Sequence, residues 1–283
     1  MKLISTLAAA ALAFGTLPAQ AEGRLDKIAE TGSISIGYRE SSVPFSYLDE
    51  NQKPVGYTID LCMKVVEAVS NSVGKELEID WTPVNPKTRI ALMANGTIDL
   101  ECGSTTDTLT REEQVGYLPT TFVTGTKLLV RADSGISSVD DLDGMTIALA
   151  QGTTNERAVK AAAEERGLDI KVLPVRDHAE GMLSLETDRV DAYSTDHILL
   201  YGLKQKSKTP DQYAVVGDFL SFDPYAIMVP KGDADFALIG KTALAEVFRS
   251  GEITEIYDQW FGPMGVEMTP LLEAAFQLGA LPE

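Results

Sequence analysis

From position 99 the chain reads Asp-Leu-Glu-Cys-Gly-Ser-Thr-Thr-Asp-Thr-Leu-Thr-Arg, ending at Arg111. A short apolar strand runs into the hydroxyl cluster Ser104, Thr105 and Thr106, and Arg111 follows five residues after Thr106. Hydroxyls, backbone N–H groups and one guanidinium together make a seat for a carboxylate. Other polar residues fall where strands end and helices begin. Arg39 follows a strand, and Arg89 opens a helix that ends at Asn95-Gly96. Gly152-Thr153-Thr154 opens another helix, whose free N–H groups favour an anion. His178 starts a third helix, and Asp196 closes a strand. Each has a plain structural reading. Ser, Thr and Asp cap helices, Arg39 and Arg89 pair with surplus carboxylates, and His178 beside Asp177 is an exposed N-terminal residue. Their joint placement at strand ends points instead to one ligand site.

Enzymatic chemistry is poorly supported. There is no G-x-S-x-G elbow and no P-loop. The two histidines, His178 and His197, and the two cysteines, Cys62 and Cys102, lack zinc spacing. No metal and no cofactor is expected. In an enzyme, His178 or Glu101 is the candidate proton-transfer group.

The elements that must hold these residues alternate. Ser33–Gly37 reads as a strand, and Thr58 as the cap of a helix with apolar steps at Ile59, Cys62, Val66, Val69 and Val73. Leu77, Ile79 and Trp81 alternate with charged residues as a strand does. A helix from Lys87 and a strand Ile98–Cys102 complete a β-α-β-α-β order, which implies a parallel sheet covered by helices. The pattern restarts with strands at Lys127–Val130, Met145–Ala150, Ile170–Val175 and Val190–Tyr193, and helices at Thr153–Arg166 and His178–Thr187. A strand Tyr225–Val229 and two helices, Phe236–Arg249 and Ile253–Trp260, follow. Asn95–Leu100 before Ser104-Thr105-Thr106 is echoed by Asp188–Tyr193 before Ser194-Thr195-Asp196. Ligands of open α/β sheets bind beyond the carboxyl ends of strands. Two such ends in two halves suggest two lobes facing one cleft, with generic α/β repetition as the alternative.

Lys2, the apolar run Leu3–Leu17 and the A-x-A pattern at Ala19–Ala21 read as an export leader cut after Ala21. Removing it takes Lys2 away and moves the net charge from −18 to −19. Such acidity argues against nucleic acid or anionic membrane partners. It also makes a cluster of arginines stand out. Export permits a disulfide between Cys62 and Cys102; two thiols packed in a core are the alternative, and the one the sequence favours.

With these residues in view, the chain resembles the extracytoplasmic solute-binding proteins of polar amino acid ABC importers. Within that family it is most similar to members that bind glutamate and aspartate. The resemblance rests on Arg39–Tyr47, Val55-Gly56-Tyr57, Arg89-Ile90, Asn95-Gly96-Thr97, Glu101–Thr106, Gly125–Leu129, Gly152-Thr153-Thr154, Asp177-His178 and Trp260-Phe261. It implies an α/β, two-lobed periplasmic binding protein fold with two crossing connections and a central ligand cleft. Lobe 1 would be 22–124 plus 225–264, lobe 2 would be 125–224, and the tail 265–283 would dock back on the body. By position, Arg111 resembles the arginine that grips an α-carboxylate, with Ser104 and Thr106 as further donors and Thr153 or Thr154 closing from lobe 2. Asp196 matches the aspartate that holds an α-ammonium. Arg39, Arg89 and His178 match the pocket for a side-chain carboxylate. One departure is Pro86, three residues before Arg89, where a relative has serine and so one more hydroxyl. The resemblance further implies a periplasmic monomer that passes an acidic amino acid to an inner-membrane permease. An exported dehydratase of a carboxylated substrate and a ligand-sensing module are the other readings.

Overall fold

The computed structural model describes residues 23–282, so the leader expected over 1–21 lies outside the described residues. Two five-stranded sheets build two α/β lobes. In the first, the strands Glu78–Pro83, Ser33–Tyr38 and Leu100–Cys102 lie side by side and parallel, with Ile34 opposite Ile79 and Gly37 opposite Glu101. Met228–Val229 pairs antiparallel with Leu100–Cys102, and Gly116–Tyr117 pairs antiparallel with Met228–Val229. In the second, Lys171–Val175, Thr146–Ala150 and Ala192–Asp196 are the parallel trio; Thr126–Arg131 pairs antiparallel with Ala192–Asp196, and Tyr213–Val216 pairs antiparallel with Thr126–Arg131. The expected parallel sheet is therefore the centre of each lobe. The antiparallel edges escape sequence reading because periodicity reports a strand, not its direction.

A two-stranded ribbon, Phe122–Thr124 with Asp223–Tyr225, joins the lobes. It corrects one expectation. Tyr225–Val229 is not one strand: Tyr225 ends the ribbon, and Met228–Val229 belongs to the first sheet. All five residues are buried, so no alternation marks the break. Thr58 is not a cap either. The Tyr57–Val73 helix begins two residues earlier than that cap implies, with Gly56 at its N-cap.

The ribbon is rooted in the first core. Phe122 and Tyr225 pack against Phe45, Tyr57 and Phe261, with the Phe45–Phe122 and Phe122–Phe261 centroids both 4.9 Å apart. Edge and stacked aromatic pairs add about 0.5–1.5 kcal/mol each beyond their buried area. The second sheet is apolar on both faces. Leu129, Ala148 and Tyr193 serve one cluster, while their neighbours Leu128, Ile147 and Ala192 serve the other, as a period of two requires. The Pro270–Gly279 helix buries Leu272 and Phe276 in the first core and stacks Phe276 on Phe248.

Cys62 and Cys102 form a disulfide, which overturns the expectation of free thiols. The Tyr57–Val73 helix lies on the Leu100–Cys102 strand and brings the two Cα atoms to 6.2 Å. Cross-linking over a separation of 40 residues restricts the unfolded chain by about 4 kcal/mol in the chain-entropy account.

Candidate functional site

The carboxyl ends of both parallel trios face each other across a narrow cavity of about 10 Å³. That is room for about one water, so the two lobes lie nearly against each other around it. Arg39, Pro86, Arg89, Ser104 and Thr106 line it from the first lobe. Thr153, Thr154, Asn155, His178, Asp196 and Leu199 line it from the second. Eight of the nine residues singled out from sequence thus meet at one cavity. Arg111 is the exception. It is buried beside Thr106, and its guanidinium donates to the Thr106 carbonyl at 2.6 Å and, across the cleft, to the Gly152 carbonyl at 3.2 Å. A larger groove, beside the C-terminal helix near Phe248 and Phe276, holds none of these residues.

Local structure explains the placement. Arg39 follows the Ser33–Tyr38 strand, and its backbone N–H is held by Ser46 Oγ at 2.9 Å. Arg89 is the first residue of the Arg89–Ala94 helix, the end where the helix dipole disfavours a cation. Thr153 caps the Thr154–Arg166 helix, accepting from the Glu156 N–H at 3.0 Å. Gly152 before it has φ +82°, and a Cβ there would lie 3.0 Å from the Pro86 carbonyl oxygen on the opposite lobe. Pro86, which lacks a hydroxyl, thus forms part of the lobe contact. Thr106 Oγ1 and Thr154 Oγ1 also meet across the cleft at 3.3 Å.

The first-lobe face is strongly cationic. Arg39 and Arg111 are pushed down to about 10, by burial first and the nearby Arg89 second, and both stay charged at neutral pH. Arg89 donates to the Ser104 carbonyl at 3.2 Å and to Thr105 Oγ1. Behind these side chains, the fully buried Glu101 accepts from Thr105 Oγ1 at 2.6 Å.

The second-lobe face is close to neutral. Burial, then Arg39 and Arg89, hold His178 well below its usual range, so it is uncharged. Its Nδ1 lies 2.7 Å from the Tyr193 hydroxyl. Burial pushes Tyr193 well up, so that hydroxyl keeps its proton. With Tyr193 donating to Nδ1, the imidazole presents a donor at Nε2. Asp196 accepts from Asn155 at 2.8 Å and from the Tyr225 hydroxyl. Burial first, and the neighbouring Asp223 second, raise it to about 8.

Four polar atoms of the lining residues have no hydrogen-bond partner among the described residues: Arg39 Nη2, Arg89 Nε, Ser104 Oγ and His178 Nε2. Buried polar groups are nearly always paired. Four such groups around one cavity form a ready anion site.

Sequence reading missed Asn155 and Asp223. Asp223 accepts from Thr106 Oγ1 at 2.9 Å and from Ser221 Oγ. Ser221 bonds Thr126, which accepts from Asn155, which donates to Asp196. A polar chain thus links the ribbon to both lobes. The only signal in the sequence was Ser221-Phe222-Asp223-Pro224, which reads as an ordinary turn.

Two lobes closed on a small polar cavity define a solute-binding protein. The chain belongs to the bacterial extracellular solute-binding proteins, family 3, whose model matches residues 34–263. It is 41% identical to an L-glutamate/L-aspartate-binding protein of Pseudomonas aeruginosa over 99% of this chain and 95% of that one. It is 39% identical to a glutamate/aspartate import solute-binding protein of Salmonella typhimurium, over 84% of this chain and 79% of that one. Among solved structures, an ancestral arginine-binding protein bound to glutamine superposes with a TM-score of 0.73 at 28% identity, covering 82% of this chain and 98% of that one. The family is one of binding proteins rather than enzymes, and no helix among the described residues is long and apolar enough to cross a membrane.

Proposed function

We propose that this protein captures L-glutamate and L-aspartate in the periplasm, with glutamine and asparagine as weaker ligands, and delivers them as a monomer to an inner-membrane ABC permease. The observation that carries the reading is the set of four unpartnered polar atoms at the cavity, three of them on Arg39, Arg89 and His178. Two arginines and a neutral imidazole donor suit a side-chain carboxylate. At the other end, Arg111, Ser104, Thr106 and the Thr153-Thr154 helix start suit the α-carboxylate, and Asp196 the α-ammonium. A neutral side chain would leave buried guanidinium charge uncompensated. The names of the two relatives agree with this choice.

Lobe 1 is assigned to 22–124 and 225–264, and lobe 2 to 125–224, hinged on the ribbon. Residues 265–283 form the tail, and 1–21 a leader removed on export. Closure buries the ligand, and the closed shape is what the permease reads. Calorimetry on refolded, ligand-free protein tests the reading with glutamate, aspartate, glutamine and asparagine. The two acidic ligands should bind one per chain, more tightly than their amides, and without turnover. Equal or tighter binding of the amides would contradict it, as would a product seen by mass spectrometry.

A further inference from the structure

Behind the half of the cavity that holds Arg39, Arg89 and His178 lies a buried carboxyl group that the ligand-binding reading does not use. Glu101 sits in the middle of the Leu100–Cys102 strand. Leu100 and Cys102 point into the first core, so Glu101 faces the opposite side of the sheet, toward the arginines. It is fully buried and is not among the cavity-lining residues. Its Oε1 lies 3.8 Å from Arg89 Nη1 and has no hydrogen-bond partner. Its Oε2 accepts from Thr105, and the same Thr105 oxygen accepts from Arg89. The relay from Arg89 through Thr105 closes on an accepting oxygen at position 101. Gly103 completes the arrangement. A Cβ there would fall 2.3 Å from Glu101 Oε1 and 2.9 Å from Arg39 Cγ, so only glycine lets the carboxylate approach the Arg39 stem. Glu101 also favours the charged form of both Arg39 and Arg111.

We propose that Glu101 sets the charge of the side-chain end of the pocket, acting through Arg39 and Arg89 as a positioning residue that makes the site select a singly charged side chain. This rests on the acidic amino acid reading above. Two arginines, one glutamate and an uncharged His178 leave a net charge of +1 at that end, where Asp177, which also acts on Arg39, is balanced by its own ion pair with Arg176 at 3.1 Å. One side-chain carboxylate neutralises it. An amide leaves it at +1, and a dianion overshoots to −1. Without Glu101 the end would carry +2 and would suit a dianion. Specificity is a difference of affinities, so a buried countercharge outside the contact surface changes the ranking of ligands without touching any of them.

The test is titration of the wild type, Glu101→Gln and Glu101→Asp with L-glutamate, L-glutamine and O-phospho-L-serine. Measurements are made above the second phosphate pKa of about 6, where that side chain is a dianion. Wild type and Glu101→Asp should rank glutamate first. In Glu101→Gln, glutamate should gain on glutamine by about tenfold, and phosphoserine should gain on glutamate by about tenfold. A merely structural role for Glu101 predicts a common loss for all three ligands with unchanged ratios, and that result would overturn the proposal. Should Glu101→Gln fail to fold, the double variant Glu101→Gln with Arg89→Gln separates the causes. Recovery of folding supports a charge role, and continued failure contradicts it. A wild type that binds glutamine as well as glutamate would overturn the acidic-ligand reading itself, before any variant is compared, and one that binds phosphoserine as well as glutamate would overturn the selection of a singly charged side chain.

Discussion

The two faces of the cleft differ in kind. The first lobe contributes three buried arginines and a buried glutamate. The second contributes hydroxyls, an amide, an uncharged histidine and an aspartate held partly protonated near neutral pH. The difference divides the labour. A charged face discriminates between ligands, because unpaired buried charge is costly. A near-neutral face can come and go with lobe closure, because desolvating it costs less. Arg111 joins the two, since one of its bonds stays within the first lobe and the other reaches Gly152.

The sharpest way to break this division is Arg111→Ala. It removes both the proposed α-carboxylate partner and the bond across the cleft. Every amino acid ligand should lose about 3–5 kcal/mol by calorimetry, whatever its side chain. A loss confined to acidic ligands would move Arg111 to the side-chain end.

The disulfide lies wholly in the charged lobe and fixes the strand that leads to Ser104. Replacing both cysteines with serine should lower unfolding stability by about 2–5 kcal/mol in denaturant titration. Hydrogen exchange should rise first around Leu100–Cys102 rather than around Ala192–Asp196. Uniform exchange over both sheets would show that the lobes do not respond separately.

Per pH unit, a smaller effect is expected from Asp196. Asp196 is raised from an unfolded value of about 3.9 to about 8. Its proton must leave when an ammonium arrives, so the bound state holds fewer protons than the free one. Affinity should therefore rise with pH, by up to about tenfold per unit, and level off near pH 8. The sign for stability is opposite. The ligand-free fold holds that proton more tightly than the unfolded chain, so this group favours folding at acid pH and loses that contribution as pH rises toward 8. Asp223→Asn removes the raising charge beside Asp196 and should flatten the binding profile. A profile unchanged by that variant would remove Asp223 from the account.

The sequence made the arginines on the first lobe's face of the cleft legible and left much of the ribbon hidden. Arg39, Arg89 and Arg111 stand out in a chain of net charge −18, and each sits at a strand or helix boundary. Thr153 and His178 were visible because helix starts have a chemical signature. Asp223, Ser221 and Thr126 were not, because they meet only when two distant crossings pair as a ribbon. The same holds for the disulfide. Cys62 and Cys102 lie on a helix and a strand, and only their packing brings them within bonding reach. Glu101 was visible in sequence as a proton-transfer candidate. Its burial behind two arginines gives it a different part.

The central claim is that charge on the first lobe chooses the side chain. The most direct test compares glutamate and glutamine affinities in the wild type and in Arg89→Ala. The wild type should prefer glutamate clearly. In the variant, glutamate should lose about 2–4 kcal/mol while glutamine loses under about 1 kcal/mol, so that the preference collapses. Equal losses for both ligands, with the preference intact, would contradict the account.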